Sequence, residues 1–144
     1  MSVIRYARVE DAPRLAQLAG DLGYTISSVS VGGAIERLRS NEGAIFVAVE
    51  GELVTGWIHI YRSQVIQTQP FTEVGGLVVD PHDRGGGIGG RLLETAEQWA
   101  SAHGLAVVRV RSNTVRANAH LFYERRGYEV EKTSYTFIKH LTTV

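Results

Sequence analysis

The chain has 144 residues, of which 44% are apolar and 21% charged, enough apolar material for one folded core. Fifteen basic and fifteen acidic side chains balance, which argues against a protein that binds nucleic acids through a basic surface. The absence of cysteine excludes disulfides, thiol catalysis and cysteine-based zinc sites. No apolar run reaches the roughly 18 residues of a membrane-spanning helix, and the start lacks a signal peptide's apolar stretch, so we expect a cytoplasmic protein.

The first part of the chain predicts a strand, two helices and a β-hairpin. The first helix is indicated by acids and a proline in its first turn, by an apolar stripe at helical spacing, and by Gly23 at its end. The turn-forming Glu50-Gly51-Glu52 separates two strand-like runs. The predicted elements are a strand at 3–7, helices at 10–23 and 30–40, and strands at 44–49 and 53–61.

The second part of the chain predicts a parallel crossover followed by a final pair of strands. The predicted elements are a strand at 73–79, a helix at 88–104, a strand at 105–110, a helix at 117–126, and strands at 128–130 and 134–138. The strand–helix–strand unit is parallel, whereas the hairpins are antiparallel, so the sheet is mixed. We therefore expect one α/β (mixed α+β) domain over residues 1–144, with helices on both faces of a central sheet.

Glycine is concentrated at one point of the chain. Of the 16 glycines, five lie in the six positions 85–90, after a strand that ends at Asp80-Pro81 and before a predicted helix. Glycines allow unusual backbone angles and let a ligand approach the main chain, so several N–H groups can converge at the positive end of the helix dipole. This pattern is typical of a phosphate-binding loop.

Two common phosphate-binding motifs do not fit this loop. Gly85-x-Gly87-x-x-Gly90 has the spacing of the dinucleotide fingerprint, but the next strand ends at Val110-Arg111-Ser112 without the acid that binds the ribose. The triphosphate loop requires Gly-Lys-Ser/Thr where this chain has Gly90-Arg91-Leu92. We therefore exclude both a dinucleotide fold and a P-loop nucleotidase.

Two other patterns fit a known family. Arg84-x-x-Gly87-x-Gly89 resembles the acyl-coenzyme A binding motif of the GNAT superfamily of N-acetyltransferases, Arg/Gln-x-x-Gly-x-Gly/Ala. Downstream, Ala119-x-x-Phe122-Tyr123-x-x-x-Gly127-Tyr128 resembles that superfamily's second signature, Ala-x-x-Phe/Leu-Tyr-x-x-x-Gly-Phe/Tyr. The predicted order of elements is similar to the family's over essentially the whole chain. The resemblance implies a GNAT-like sheet with a V-shaped splay between its fourth and fifth strands.

The resemblance also implies acetyl-CoA as co-substrate, without a metal. The family holds the coenzyme pyrophosphate on the loop amides and pairs the pantetheine arm with the strand before the loop. In that strand Gly75-Gly76 indicates either a bulge or a close backbone approach, and the family uses such a bulge to aim an amide at the thioester carbonyl. The implied coenzyme-binding residues are Leu77, Val78, Val79, Arg84, Gly85, Gly86, Gly87, Ile88, Gly89 and Gly90, with Asn113 and Asn118 as further hydrogen-bonding candidates.

The implied reaction is direct attack of a primary amine on the acetyl thioester through a tetrahedral intermediate. An amine like that of lysine has a pKa of about 10.4, so freeing its lone pair near neutral pH costs roughly 4 kcal/mol. Glu73 is the carboxylate we expect to assist as base or through a water relay, the alternative being a solvent-facing acid at a strand end. Tyr123 matches the family's tyrosine that protonates the departing thiolate, and its alternative is a core aromatic.

Several polar and charged residues near the two motifs have both a functional and a structural interpretation. Arg84 and Arg91 are cations near the loop but are also explained as surface charges. Asn113 could instead cap the following helix. Arg116 and His120 match a variant of the second signature in which arginine replaces the more widespread asparagine. The five histidines lack the paired spacing of metal ligands, so no metal site is expected.

The acceptor is left open by the sequence. In the family it lies among the first two helices and the final strands, and we expect a small-molecule or peptide amine, with no nucleic acid or membrane partner. Open sheet edges make a homodimer an expectation. The alternatives are a non-catalytic acyl-CoA-binding sensor or interaction module on the same fold, and an enzyme with a succinyl or propionyl donor. The candidate acceptor-lining residues are Tyr24, Thr25, Tyr61, Glu73 and Tyr135.

Overall fold

The structure, a computed structural model, describes residues 2–142. Its contacts divide this part of the chain into two compact units, of which the first ends at Val110 and the second begins at Arg111. Among the described residues, the first unit contains a five-stranded sheet, three α-helices and two short 3-10 helices, and the second contains one α-helix. The predicted mixed α/β fold class is confirmed.

The five strands lie in the sheet in chain order. Each of the first three pairs of neighbours is antiparallel, and the last pair is parallel, because the connection between its strands contains a helix. The strands are β1 (Val3–Tyr6), β2 (Gly43–Glu50), β3 (Leu53–Ser63), β4 (Phe71–Val79) and β5 (Val108–Val110). The helices of the first unit are α1 (Ala12–Gly20), α2 (Ser28–Arg37) and α3 (Ile88–Ala102).

Helices pack on both faces of this sheet. On one face Trp57 of β3 packs against an apolar cluster that includes Leu15 of α1 and Val31 of α2. The preceding residue, Gly56, points to the opposite face, where a Cβ would lie 3.2 Å from Leu92 of α3. The sheet is therefore the middle layer of the unit, with α1 and α2 on one side and α3 on the other.

One extra residue is inserted into β4 opposite β3. His59 pairs with Gly76, but the next residue, Ile60, pairs with Val74, so Gly75 has no opposite residue on β3. Of the two interpretations of Gly75-Gly76, the bulge is thus confirmed. Because paired residues share a face, the bulge turns Glu73 and Gly76 to the same side of the sheet despite their odd spacing.

The contact between β4 and β5 is short. It covers Thr72–Val74 of β4 and Val108–Val110 of β5, so β5 is shorter than the strand predicted at 105–110. The amide of Leu105 instead donates to the carbonyl of Ala100 at the end of α3. Within the described residues, positions 76–79 of β4 pair with β3 alone. The V-shaped splay itself stays a prediction.

The second unit contains α4 (Ala117–Glu124), and residues 128–142 have no regular secondary structure. The strands predicted at 128–130 and 134–138 are therefore wrong. Tyr135 and Phe137 alternate as in a strand, yet they are 90% and 92% exposed. Apolar and polar residues that alternate along the chain suit the two faces of a sheet. A strand forms, however, only where a neighbouring strand supplies hydrogen-bonding partners for its backbone. The described residues of this unit supply none.

A bidentate ion pair fixes the start of α1 against β1. Arg5 Nη1 and Nη2 lie 2.8 and 3.0 Å from Asp11 Oδ2 and Oδ1, and Asp11 Oδ2 also accepts the Arg8 amide at 2.7 Å. The hydrogen bond from Arg5 is the main cause that lowers the pKa of Asp11 below its ordinary value, and the Arg8 amide adds to it.

We expect Asp11→Asn to lower the free energy of unfolding by about 1 kcal/mol at pH 7. Because the folded-state pKa of Asp11 is lowered, its contribution is complete above the unfolded value near 3.9 and is lost as pH falls through the folded value. Urea unfolding at pH 7 and in acid measures this, with Glu52→Gln in the exposed hairpin turn as control. A deficit that is the same at every pH would contradict the ion pair as its cause.

Candidate active site

The glycine-rich loop presents an open main chain at the start of α3. Gly85 and Gly87 have φ values of +89° and +82°, and a Cβ at either would meet no atom within 4 Å. Gly87 precedes the first helical residue, and no side chain caps it. The first helical bond runs from the Arg91 amide to the Gly87 carbonyl at 3.1 Å, so the amides of positions 88–90 have no acceptor within the helix. These N–H groups suit an anion.

The entry to this loop is anchored by Asp80, which is buried. Its amide donates to Thr55 O at 2.8 Å, its Oδ1 accepts the His82 amide at 3.0 Å, and its Oδ2 lies 2.6 Å from Arg14 Nη2. The His82 amide is the main cause that lowers the pKa of Asp80, with Arg14 contributing further. Arg14 Nε also donates to Val54 O at 2.9 Å, so α1 is tied to the loop entry.

Sequence reasoning missed both members of this anchor. An acid directly before Pro81 is a common helix-start pattern and could have identified Asp80. Arg14 carries no such signal, because it lies 66 positions away in the chain.

The two arginines near the loop differ in their contacts. Arg84 is exposed, which leaves it available to a ligand. Arg91 Nη1 donates to the carbonyl of Ser2 at 2.8 Å, so it connects α3 to the start of the chain. The side chain of Ile88 is buried in the core, and its backbone N–H is the part of this residue that the loop can offer.

The strand before the loop has one paired and one open edge. Leu77, Val78 and Val79 pair with β3, and Val78 is buried in the cluster formed with α1. On the opposite edge, no described strand pairs with these three residues. Their N–H and C=O groups on that edge can pair with an extended ligand.

Glu73 lies on the α1 and α2 face beside the bulge. It is 8% exposed, so the alternative of a solvent-facing strand-end acid is wrong. Tyr61, its partner on β3, donates its hydroxyl to Glu73 Oε2 at 3.1 Å. The ring centroid of His59 is 5.8 Å from that of Tyr61, and a Cβ on Gly75 would lie 3.1 Å from His59 Nδ1. A carboxylate, a phenol and an imidazole thus line one side of the bulge.

An open pocket of about 510 Å³ adjoins this group through Tyr61. It lies between the end of α2 and the end of β3, and charged and amide side chains contribute to its wall. The lining residues are Leu38, Asn41, Glu42, Tyr61, Arg62 and Gln64. Of the predicted acceptor-lining residues, Tyr61 lines this pocket, whereas Glu73 is hydrogen-bonded to Tyr61 but does not line the pocket itself. Tyr24, Thr25 and Tyr135 are exposed and are not among its lining residues.

The second unit holds Tyr123 on α4. Its ring contacts those of Phe122 and Tyr128, with centroid distances of 5.1 and 5.8 Å. Burial raises the pKa of Tyr123 above its ordinary value, and the charge of Arg116 opposes this in part. Tyr123 is therefore a protonated phenol at neutral pH and has a proton to donate.

Polar residues near α4 mostly stabilise the turn that precedes this helix. Asn113 Oδ1 accepts the Val115 amide at 3.1 Å, so its side chain closes the turn before the helix. It does not cap α4, whose N-terminal cap position is Arg116. His120 Nε2 donates to the carbonyl of Asn113 at 2.8 Å, so His120 holds that turn. Asn118 lies in the first turn of α4 and is exposed.

The described residues contain neither a metal-binding cluster nor a membrane-spanning helix. Between residues 2 and 142, no group of three or more histidine, aspartate or glutamate side chains is placed to hold a metal ion. Over the same residues, no helix has both the length and the apolar character needed to cross a membrane.

Comparison with known proteins identifies the class. The family model described as "Acetyltransferase (GNAT) domain" matches residues 41–130, more than half of the chain. The chain therefore belongs to the GNAT family of N-acetyltransferases. The resemblance found in the two sequence motifs is confirmed.

One curated relative is similar in sequence to this chain, and solved structures are similar to it in fold. The chain is 28% identical over 132 residues to the uncharacterized N-acetyltransferase YhfO of Bacillus subtilis (strain 168), covering 88% of this chain and 89% of the relative. The fold is similar to that of a transcriptional regulator from Bacillus halodurans C-125, with a TM-score of 0.83, 20% identity, and coverage of 96% and 100% of the two chains. It is also similar to the aminoglycoside acetyltransferase meta-AAC0020, from an uncultured soil metagenomic sample and in complex with sisomicin. That comparison has a TM-score of 0.81, 21% identity, and coverage of 98% and 97%.

Proposed function

We propose that this N-acetyltransferase uses acetyl-CoA as donor and a small-molecule primary amine as acceptor, within one GNAT domain over residues 1–144. The observation that carries the proposal is the open glycine loop at the uncapped start of α3. It offers several N–H groups to an anion, and Gly85 and Gly87 leave the space above it free. The pyrophosphate of a coenzyme is such an anion.

The coenzyme would be held by main-chain groups more than by cations. The amides of Gly85 and of positions 87–90 would bind the pyrophosphate, with the exposed Arg84 as the nearby positive charge. The Gly86 amide instead donates to the carbonyl of Asp83 at 3.3 Å. The pantetheine arm would pair with the open edge of Leu77, Val78 and Val79. Asn118, in the exposed first turn of α4, is a further candidate, as is the main chain of Asn113. When bound, acetyl-CoA supplies an activated acetyl thioester.

Glu73 and Tyr123 are the proposed proton-transfer groups. Glu73 removes a proton from the acceptor ammonium before its nitrogen attacks the thioester carbonyl and forms a tetrahedral intermediate. Collapse of that intermediate breaks the carbon–sulfur bond, and Tyr123 gives its proton to the departing thiolate. The burial of Glu73 beside the bulge and the raised pKa of Tyr123 support these roles.

The pocket beside Tyr61 supports a small polar acceptor. Its lining includes Glu42, whose carboxylate can attract an ammonium group, and the amides of Asn41 and Gln64. The structurally similar meta-AAC0020 is an aminoglycoside acetyltransferase, and aminoglycosides are polar amines of this kind. A homodimer stays a prediction, which light scattering tests.

The donor is tested by calorimetry with acetyl-CoA and by thiol release from acetyl-CoA across a panel of amines that includes sisomicin. We expect binding and amine-dependent thiol release, with succinyl-CoA and propionyl-CoA turned over more slowly. Absence of binding at millimolar acetyl-CoA would overturn the proposal. Binding without thiol release from any amine would instead indicate a non-catalytic acyl-CoA sensor.

We expect Glu73→Gln to lower kcat about 100-fold near pH 7 with an amine that is charged at that pH, because the first deprotonation then lacks its base. The affinity for acetyl-CoA should be unchanged. The matched control is Glu97→Gln on α3, since it removes the same charge elsewhere in the chain. An equal loss of kcat in both variants would contradict the role of Glu73.

A further inference from the structure

We propose that His59 accepts the second proton that the acceptor amine loses during acetyl transfer, so that two side chains on the bulge side of β3 and β4 divide the deprotonation. The inference rests on the proposed function and adds to it a residue that neither family motif contains. Its support is the position of His59 beside the bulge, its contacts, and the proton balance of the reaction.

The position of His59 is set by the strand pairing. It pairs with Gly76 and lies immediately before the register shift, so its ring lies beside the unpaired Gly75. An ideal Cβ on Gly75 would lie 3.1 Å from His59 Nδ1, which shows that the absence of a side chain there makes room for the imidazole. His59 and Tyr61 share a face of β3, and Tyr61 connects that face to Glu73.

The ring of His59 is half-buried and makes no hydrogen bond to any other described residue. A half-buried imidazole with a structural role normally has such a partner, as His120 does with the carbonyl of Asn113 at 2.8 Å. His59 thus keeps its ring nitrogens available beside the proposed reaction centre. Burial lowers the pKa of His59 below its ordinary value, so the ring is neutral at pH 7 and can accept a proton.

The proton balance requires a second acceptor. A primary ammonium carries three hydrogens on nitrogen and the amide product carries one, so two protons leave. The first leaves before attack and frees the lone pair. When that lone pair forms the carbon–nitrogen bond, the nitrogen becomes positively charged and acidic, and its second proton passes to a ring nitrogen of His59. The carbon–sulfur bond then breaks, and the thiolate takes its proton from Tyr123. Glu73 and His59 then release their two protons to solvent, and Tyr123 takes one proton back from solvent, so that one proton is released in all.

The ring of Tyr61 lies beside that of His59 on the same strand, and Glu73 of β4 is on the same face of the sheet, hydrogen-bonded to Tyr61. The hydroxyl of Tyr61 donates to Glu73 and therefore does not compete for the imidazole. The two deprotonations therefore have different acceptors. Glu73 takes the first proton, from the ammonium group before attack, and His59 takes the second, from the nitrogen after the carbon–nitrogen bond has formed.

The test compares two nucleophiles in four proteins. One nucleophile is a charged primary amine that the wild type acetylates, and the other is hydroxylamine, which is largely uncharged near pH 7. The proteins are the wild type, His59→Gln, Glu73→Gln, and the control His140→Gln at an exposed position. We expect His59→Gln to lower kcat about 100-fold with both nucleophiles, and Glu73→Gln to do so with the charged amine alone. His140→Gln should match the wild type.

Two measurements separate this role from a structural one. The acid limb of the wild-type kcat–pH profile should follow the pKa of His59 measured by NMR on histidine-labelled protein, and it should be absent in His59→Gln. Calorimetric affinity for acetyl-CoA should be unchanged in His59→Gln. If that variant does not fold, His59→Asn is used instead. The comparison of the His59 pKa with the acid limb of the kcat–pH profile needs only the wild type and tests the role of His59 in either case.

The outcomes distinguish the inference from the function on which it rests. Wild-type turnover that persists within about twofold in His59→Gln overturns the role of His59 alone. A loss of turnover matched by an equal loss of acetyl-CoA affinity, or an acid limb that does not follow His59, does the same. A wild type that releases no thiol with any nucleophile overturns the proposed function, and this inference with it.

Discussion

Replacing Gly87 with valine is expected to weaken the binding of acetyl-CoA about 100-fold while the chain stays folded. Gly87 has a φ of +82°, and a Cβ there would meet no protein atom within 4 Å, so the new side chain enters the space above the loop. It would displace the pyrophosphate from the amides at the start of α3, and hydrogen bonds to charged oxygens contribute about 1.5–3 kcal/mol each. Isothermal titration with acetyl-CoA measures the change.

Gly51→Val is the matched control for this experiment. Gly51 has a φ of +64°, also has no atom within 4 Å of a Cβ, and lies in the turn between β2 and β3. Both variants carry a backbone strain of about 1–2 kcal/mol, so their melting temperatures should fall by similar amounts. Equal affinities for acetyl-CoA in the two variants would show that the glycine loop is not the coenzyme site.

We expect Tyr123→Phe to lower kcat by about 100-fold or more while the affinity for acetyl-CoA changes little. The phenol is the proposed source of the thiolate's proton, and phenylalanine keeps the ring but removes that proton. Because burial raises the pKa of Tyr123, the wild type should keep its donor protonated until pH exceeds the ordinary tyrosine value near 10. Steady-state kinetics against pH, measured as thiol release, tests both statements.

The control for this variant is Tyr128→Phe. Tyr128 contacts Tyr123 edge to face, and the family signature accepts phenylalanine or tyrosine at its position. We expect this variant to retain wild-type kcat. If Tyr123→Phe is as active as Tyr128→Phe, the acid is another group or water.

The parts of the fold that sequence patterns predicted are those with local signals. The helices α1 and α3 follow from apolar stripes with glycines and acids at their ends, and β2 and β3 from a hairpin around Gly51. The two final strands were predicted with the same reasoning and are absent from residues 128–142. Their apolar residues show a preference for a sheet, but alternation carries no information about which backbone would pair with them.

The candidate site also contains one part that the sequence predicts and another that only the fold brings together. The glycine loop occupies consecutive positions, so its spacing was visible in the sequence. The group at the bulge was not, because Tyr61 and Glu73 are 12 positions apart and meet only when β3 and β4 pair in one particular register. Strict alternation along β4 would place Glu73 on the face opposite Gly76. The contact between Arg14 and Asp80 likewise depends on how α1 packs on the sheet.

The inserted Gly75 has a consequence for how this strand can be shortened. On either side of it, β4 already pairs with consecutive residues of β3, His59 with Gly76 and Ile60 with Val74. In a chain that lacks only Gly75, β3 and β4 can therefore form a regular antiparallel ladder in which every residue of β4 keeps its present partner on β3. The only peptide group lost is that of the bulge. Deletion of this single codon removes the main-chain bulge but leaves His59 and Glu73 paired with the same residues. The contribution of the bulge to acyl transfer can therefore be measured separately from that of the side chains beside it.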